Sequence, residues 1–87
     1  MPTVEKTITI KSKQGLHARP AAMFVQLANK YVSNVTIRKG GEEVNGKSIM
    51  GLLMIGADYG SELILIADGD DAEKMLEELE AYLVKED

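Results

Sequence analysis

The apolar residues repeat with a period that switches between two and about 3.6 along the chain, and no stretch approaches the roughly 18 to 20 apolar residues needed to span a bilayer. Such a chain must bury several short amphipathic elements against one another. From Thr3 to Ile10 the alternation suits a half-buried strand, with Val4, Lys6, Ile8 and Ile10 on one face and Glu5, Thr7 and Thr9 on the other. Lys6 is the one misfit. Ser12-Lys13-Gln14-Gly15 reads as a loop, and Pro20 suits a first helical turn, where its missing N–H costs nothing. A helix is therefore predicted to begin near His17 or Ala18. Its apolar stripe is Ala21, Phe24, Val25, Ala28 and Val32, which leaves Ala22, Met23, Gln26 and Lys30 facing outward.

Two strands, Val35 to Lys39 and Glu42 to Asn45, are predicted to meet in a tight hairpin at Gly40-Gly41. Ser48 is placed to cap a short helix that ends at Gly56, with Gly51 weakening it from within. Glu62 to Ala67, containing Leu63-Ile64-Leu65-Ile66, suits a central strand. The last helix carries Asp70, Asp71 and Glu73 near its positive end, and Ala72, Met75, Leu76, Leu79, Tyr82 and Leu83 form its apolar stripe. The order β-α-β-β-α-β-α predicts an α+β fold, an open-faced sandwich with one antiparallel sheet and helices on a single face.

At 87 residues the chain is expected to form one domain, residues 1–87, with a modest core. With 45% hydrophobic and 28% charged residues it is not a disordered or fibrous chain. The absence of Cys removes disulfides, thiolate zinc sites and cysteine nucleophiles. Met1 to Lys6 lack the apolar stretch of a secretion signal, so a cytoplasmic location is expected. A net charge of −4 disfavours nonspecific nucleic-acid binding.

The informative segment is Gly15-Leu16-His17-Ala18-Arg19-Pro20-Ala21. It places an imidazole, a guanidinium and the unpaired N–H groups of Ala18 and Arg19 together at a helix start, where the peptide dipoles add about half a positive charge and favour anions. The same field disfavours the imidazolium, leaving a ring lone pair free to attack phosphorus. An isolated histidine at a helix end is nevertheless more often a cap, or a ring packed on proline, with its arginine neighbour solvated. Composition and periodicity do not overturn that reading.

A resemblance does. Gly15 to Ala21, followed some thirty residues later by Lys47-Ser48-Ile49-Met50-Gly51, resembles the histidine-containing phosphocarrier family, HPr, of the bacterial sugar phosphotransferase system, and the likeness covers essentially the whole chain. The resemblance implies a four-stranded antiparallel sheet with three helices on one face. It implies that His17 takes a phosphoryl group on Nδ1 from enzyme I, itself charged by phosphoenolpyruvate, and passes it to the IIA component of a sugar permease. Arg19 would be the charge partner of the phosphate, with Pro20 fixing the helix start. The chain would then be a covalent intermediate rather than an enzyme.

A carrier that docks with unrelated partners favours a shallow apolar patch with adaptable methionine. Ile49 and Met50 match the family's docking positions, Met23 is expected to face the same way, and Ala22 and Leu53 join them; an apolar short helix that merely seals the core is the competing reading for Ile49, Met50 and Leu53, and for the first two it is the family match that decides against it. Ser48, as a serine before an apolar run, is ordinarily just a cap. In the branch of the family found in low-GC Gram-positive bacteria, however, the equivalent serine is phosphorylated by a dedicated ATP-dependent kinase, and Ser48 resembles that regulatory site. The partners implied are therefore enzyme I, IIA components, an HPr kinase/phosphorylase and a catabolite control protein, for a chain expected to be a monomer. A regulatory or nitrogen-related relay is the alternative within the family. An RRM-type module is disfavoured because Phe24, Tyr31, Tyr59 and Tyr82 all fall outside the predicted strands. A small-ligand regulatory domain would leave His17 beside Arg19 unexplained. One histidine and scattered carboxylates offer no metal-ligand spacing, and no cofactor is expected. Asp58 and Tyr59 are assigned no role.

Overall fold

Leu63 to Ile66 needs a neighbour on each edge and a covered face, and it finds all three. In the computed structural model, which describes residues 3–85, the elements are β1 (Thr3–Thr9), α1 (Ala18–Ala28), β2 (Asn34–Lys39), β3 (Glu42–Asn45), α2 (Ile49–Met54), β4 (Glu62–Asp68) and α3 (Ala72–Leu83). The expectation drawn from Met1 to Lys6 falls in part on Met1 and Pro2, which lie outside the described residues. The strands form one antiparallel sheet in the order β1-β4-β2-β3. Leu65 stands opposite Lys6 on one side and Ile37 on the other. Leu63, Leu65 and Ala67 of β4 are buried, while Ile64 and Ile66 lie on the half-exposed opposite face, as a strand's period of two requires. The three helices cover the first face. Phe24 of α1, Leu52 of α2 and Met75, Leu76 and Leu79 of α3 are completely buried there with Ile8, Val35 and Ile37 of the sheet. The α+β open-faced sandwich is thus the architecture found.

Lys6 sits on the core face because β1 is an edge strand crossed by α3. Its stem lies against the sheet and its Nζ reaches the rim, where it donates to Glu80 Oε1 at 2.8 Å. That hydrogen bond and the Glu80 charge hold the ammonium above the ordinary lysine range. Gly51 has a packing reason that outweighs its poor helix propensity. A Cβ there would stand 3.2 Å from Val44 Cβ and 3.3 Å from Asn45 O, so a bare Cα lets α2 rest on β3.

One expectation is corrected. Val32 is not in the buried stripe of α1; it is 82% exposed, because the helix stops at Ala28 and the chain bends through 31–33. The apolar period ran past the end of the helix. Asp71 is at the start of α3 but makes no side-chain cap. Its carboxylate instead accepts from the Val32 and Ser33 N–H groups, both at 3.0 Å, and from the Ser33 hydroxyl, tying the α1–β2 connection to α3.

The Ser33 hydroxyl, and then the two N–H groups, hold the Asp71 carboxyl below its usual value of 3.8 against the opposing effect of burial. A carboxyl depressed in the folded state contributes stability fully present above its unfolded value and lost as pH falls through the folded one. Asp71→Asn should therefore melt at lower temperature than wild type at pH 7. The gap should narrow as pH is lowered from about 5 to about 3, as circular-dichroism melts across that range would register. A gap independent of pH would show that the ionised carboxylate is not what holds the connection.

Candidate functional site

Strand pairing continues past the end of β1 and builds the loop that presents His17. Ile10 N–H donates to Ser61 O and Gly60 N–H to Ile10 O, both at 2.9 Å, and Leu16 N–H donates to Ala57 O at 2.8 Å. Leu16 is buried beneath the loop. Gly15 makes the approach possible. Its φ is +70°, and a Cβ would lie 2.8 Å from Ala57 O and 3.0 Å from Asp58 Cα. His17 thus emerges from two loops zipped together.

His17 is the N-cap residue of α1, with extended backbone (φ −93°, ψ −167°), and its side chain makes no capping hydrogen bond. The ring is exposed rather than spent on the helix it begins. Ala21 N–H donates to His17 O at 2.9 Å, which closes the first helical ring. The N–H groups of Ala18 and Arg19 precede that bond, and Pro20 has none to offer. No acidic residue occupies the first turn. Ala18 and Arg19 are exposed beside the ring. A hollow of ≈ 290 Å³ adjoins it, lined by Gly15, Leu16, His17, Arg19 and, from the end of α3, Tyr82 and Lys85. None of its described lining residues is acidic. An imidazole nucleophile, a guanidinium and unspent N–H donors can together hold and transfer a small anion such as a phosphoryl group.

The second cluster lies on α2, which packs against α1 and β3. Ser48 Oγ accepts from Gly51 N–H at 3.0 Å, an N-cap as the sequence predicts. Leu52 and Ile55 face the core, whereas Ile49, Met50 and Leu53 are exposed. Met23 of α1 is exposed and Ala22 half-buried. Met54, at 75% exposure, belongs to the same stripe and was missed by the sequence reading, although its spacing of four from Met50 was available as a signal. Tyr82 and Lys85 were also missed beside His17. Nothing in the periodicity of α3 says that its last turn ends next to the start of α1. Among the described residues no group of three or more His, Cys, Asp or Glu could hold a metal ion, and no helix is long and apolar enough to cross a membrane.

Residues 4–85 match the protein family described as "PTS HPr component phosphorylation site". The HPr-like protein Crh of Bacillus subtilis (strain 168) is 47% identical over 83 residues, which span 95% of this chain and 98% of that one. A crystal structure of a phosphocarrier protein HPr from Bacillus anthracis str. Ames superposes with a TM-score of 0.89 at 44% identity, covering 93% of this chain and 96% of that chain.

Two further likenesses correct the expectation of a monomer. The crystal structure of Bacillus subtilis Crh, 48% identical over 92% of each chain with a TM-score of 0.76, is described as a dimer with a swapping domain. An HPr from Thermoanaerobacter tengcongensis, 49% identical over 83% of each chain with a TM-score of 0.69, is described as a dimer. The physical reason lies in what a sequence encodes. In a domain swap the exchanged element makes the same contacts with a second copy that it would make within one chain, so patterning and burial cannot distinguish the two.

Gly15→Ala tests the loop geometry directly. With a left-handed φ and no room for Cβ, the variant should be destabilised by about 1 to 3 kcal/mol, seen as a lower urea midpoint at unchanged slope. A midpoint equal to wild type would show that the approach of Gly15 to Ala57 is slack.

Proposed function

The chain belongs to the HPr family of phosphotransferase-system components, which includes the phosphocarrier protein HPr and the HPr-like protein Crh, and from that premise we propose that it carries a phosphoryl group on His17 between enzyme I and IIA components of sugar permeases. The observation that carries this reading is an exposed imidazole at the start of α1 that caps nothing, beside Arg19 and the unspent N–H groups of Ala18 and Arg19. In its neutral form the ring offers the Nδ1 lone pair to phosphorus. The N–P bond forms as the bond from phosphorus to the donor breaks, and the guanidinium and N–H groups meet the charge on the phosphoryl oxygens. Transfer onward reverses these roles. The proposed setting is the cytoplasm, and the proposed carrier is a single domain.

Ser48 is proposed as a regulatory phosphorylation site. A phosphate there would keep an oxygen to accept the Gly51 N–H and would add a charge of about −1.5 to −2 beside the exposed Ile49 and Met50. Those two, with Met23, Ala22 and Leu53, are the proposed docking residues. A regulatory branch of the family is the second reading, favoured by the 48% identity to Crh, whose crystal structure is described in terms of catabolite repression. His17 separates the two, because only the carrier reading requires it to be labelled.

Incubation with enzyme I and phosphoenolpyruvate should place an acid-labile, base-stable phosphate on wild type and none on His17→Ala. Label undiminished in His17→Ala would sink the carrier reading. Arg19→Ala should melt close to wild type, since an exposed charge contributes little to stability, while its transfer to IIA slows by about tenfold or more. A collapse of stability with unchanged transfer would make Arg19 structural.

Ser48→Asp should slow His17 labelling by enzyme I, and part of the loss should fade as salt rises, because the Debye length is about 10 Å at 0.1 M. Equal rates at low salt would remove the switch. A rate loss accompanied by unfolding would return Ser48 to the role of a helix cap.

A further inference from the structure

The hollow beside His17 is closed on one side by the end of α3, whose side chains the carrier reading leaves unused. Tyr82 and Lys85 line it together with His17 and Arg19. The Tyr82 ring packs on the core. Its hydroxyl hydrogen-bonds to no described residue, and since no buried side-chain atom among the described residues lacks a partner, it is reached by solvent. Tyr31, the other half-buried tyrosine, donates instead to Glu78. Burial pushes the Tyr82 phenol up, so at neutral pH it is a proton donor. Lys85 follows the last turn of α3, which contains no basic residue. It supplies positive charge where the carbonyl end of the helix would otherwise repel an anion. In a chain of net charge −4, this hollow combines His17, Arg19 and Lys85 with no carboxylate among its described lining residues.

We propose that Tyr82 and Lys85 bind the phosphoryl group carried by His17, the hydroxyl by donating to a phosphoryl oxygen and the ammonium by its charge. The cradle then has two walls, one from the start of α1 and one from the end of α3. The ligand is a phosphoryl dianion on imidazole, so this inference rests on the carrier reading.

Phosphoramidate supplies the label without any partner protein: its P–N bond breaks, ammonia leaves, and the N–P bond to His17 forms. Phosphorus NMR of the labelled protein then follows the second ionisation of the phosphoryl group with pH. Donors and positive charge favour the dianion, so Tyr82→Phe and Lys85→Gln should each raise that pKa by several tenths of a unit. The Lys85→Gln difference should shrink between about 0.05 and 0.5 M salt, whereas the Tyr82→Phe difference persists. Tyr82→Phe keeps the ring that packs on the core, and equal melting temperatures separate phosphate binding from stability. Two variants that titrate like wild type would overturn the proposal, and a shift in one alone would assign the contact to that residue and remove the other. Absence of a phosphohistidine signal from wild type would instead overturn the carrier reading, and this inference with it.

Discussion

The antiparallel pairing of β4 with β1 on one side and β2 on the other is the interaction on which the rest of the molecule depends. It joins the first strand of the chain to the last and gives Leu63, Leu65 and Ala67 a sheet to belong to. It also sets the site. The ladder does not stop at Thr9; it runs on through Ile10, Gly60 and Ser61, and the next contact is Leu16 N–H on Ala57 O. The position of His17 is therefore inherited from strand register, one hydrogen bond at a time. The same dependence bears on the swapping described for Bacillus subtilis Crh. A strand that closes a sheet can close it on its own chain or on a second copy with no change in what each residue touches.

Net charge and local charge answer different questions here. A chain at −4 is poorly suited to polyanions, because its averaged field repels them. A phosphoryl group is small enough to respond only to what lies within a few ångströms. Around His17 that consists of N–H donors, a guanidinium and the positive end of a helix, with no acidic residue in the first turn. Three of the acidic residues are used elsewhere, Asp71 in holding the α1–β2 connection and Glu78 and Glu80 in binding Lys30 and Lys6.

Element types, their order and most of the buried face were legible because each depends on local periodicity. Ala21, Phe24, Val25 and Ala28 follow from one helix, and the hairpin at Gly40 follows from two short alternating runs. What was not legible depends on contacts between distant segments. Lys6 looks like an error until α3 brings Glu80 across it, and the tie of Asp71 to Val32 and Ser33 appears only once the α1–β2 connection reaches the start of α3. Val32 failed for the opposite reason, since a period can be counted beyond the point where the helix that carries it has ended. At the site, His17 and Arg19 are neighbours in sequence and were visible as such. Tyr82 and Lys85 reach the same hollow only through the packing of α3, and local pattern has no access to that.

Exposure of the candidate acceptor follows from what a carrier must do. A group that receives a phosphoryl unit from one protein and yields it to another cannot be enclosed, because each exchange needs in-line access to phosphorus from outside. Its surroundings must hold the charge without completing a closed shell, since a closed shell would favour the loaded state over both transfer steps. An imidazole at a helix start, with a guanidinium alongside and a hollow open to solvent, is half of a site. On the carrier reading proposed above, the other half comes from the partner, and the exposed α2 surface is where that partner would rest. Ile49, Met50, Leu53 and Met54 leave apolar area in water that burial in the core would have made favourable, and on the same reading a docked partner would recover that cost.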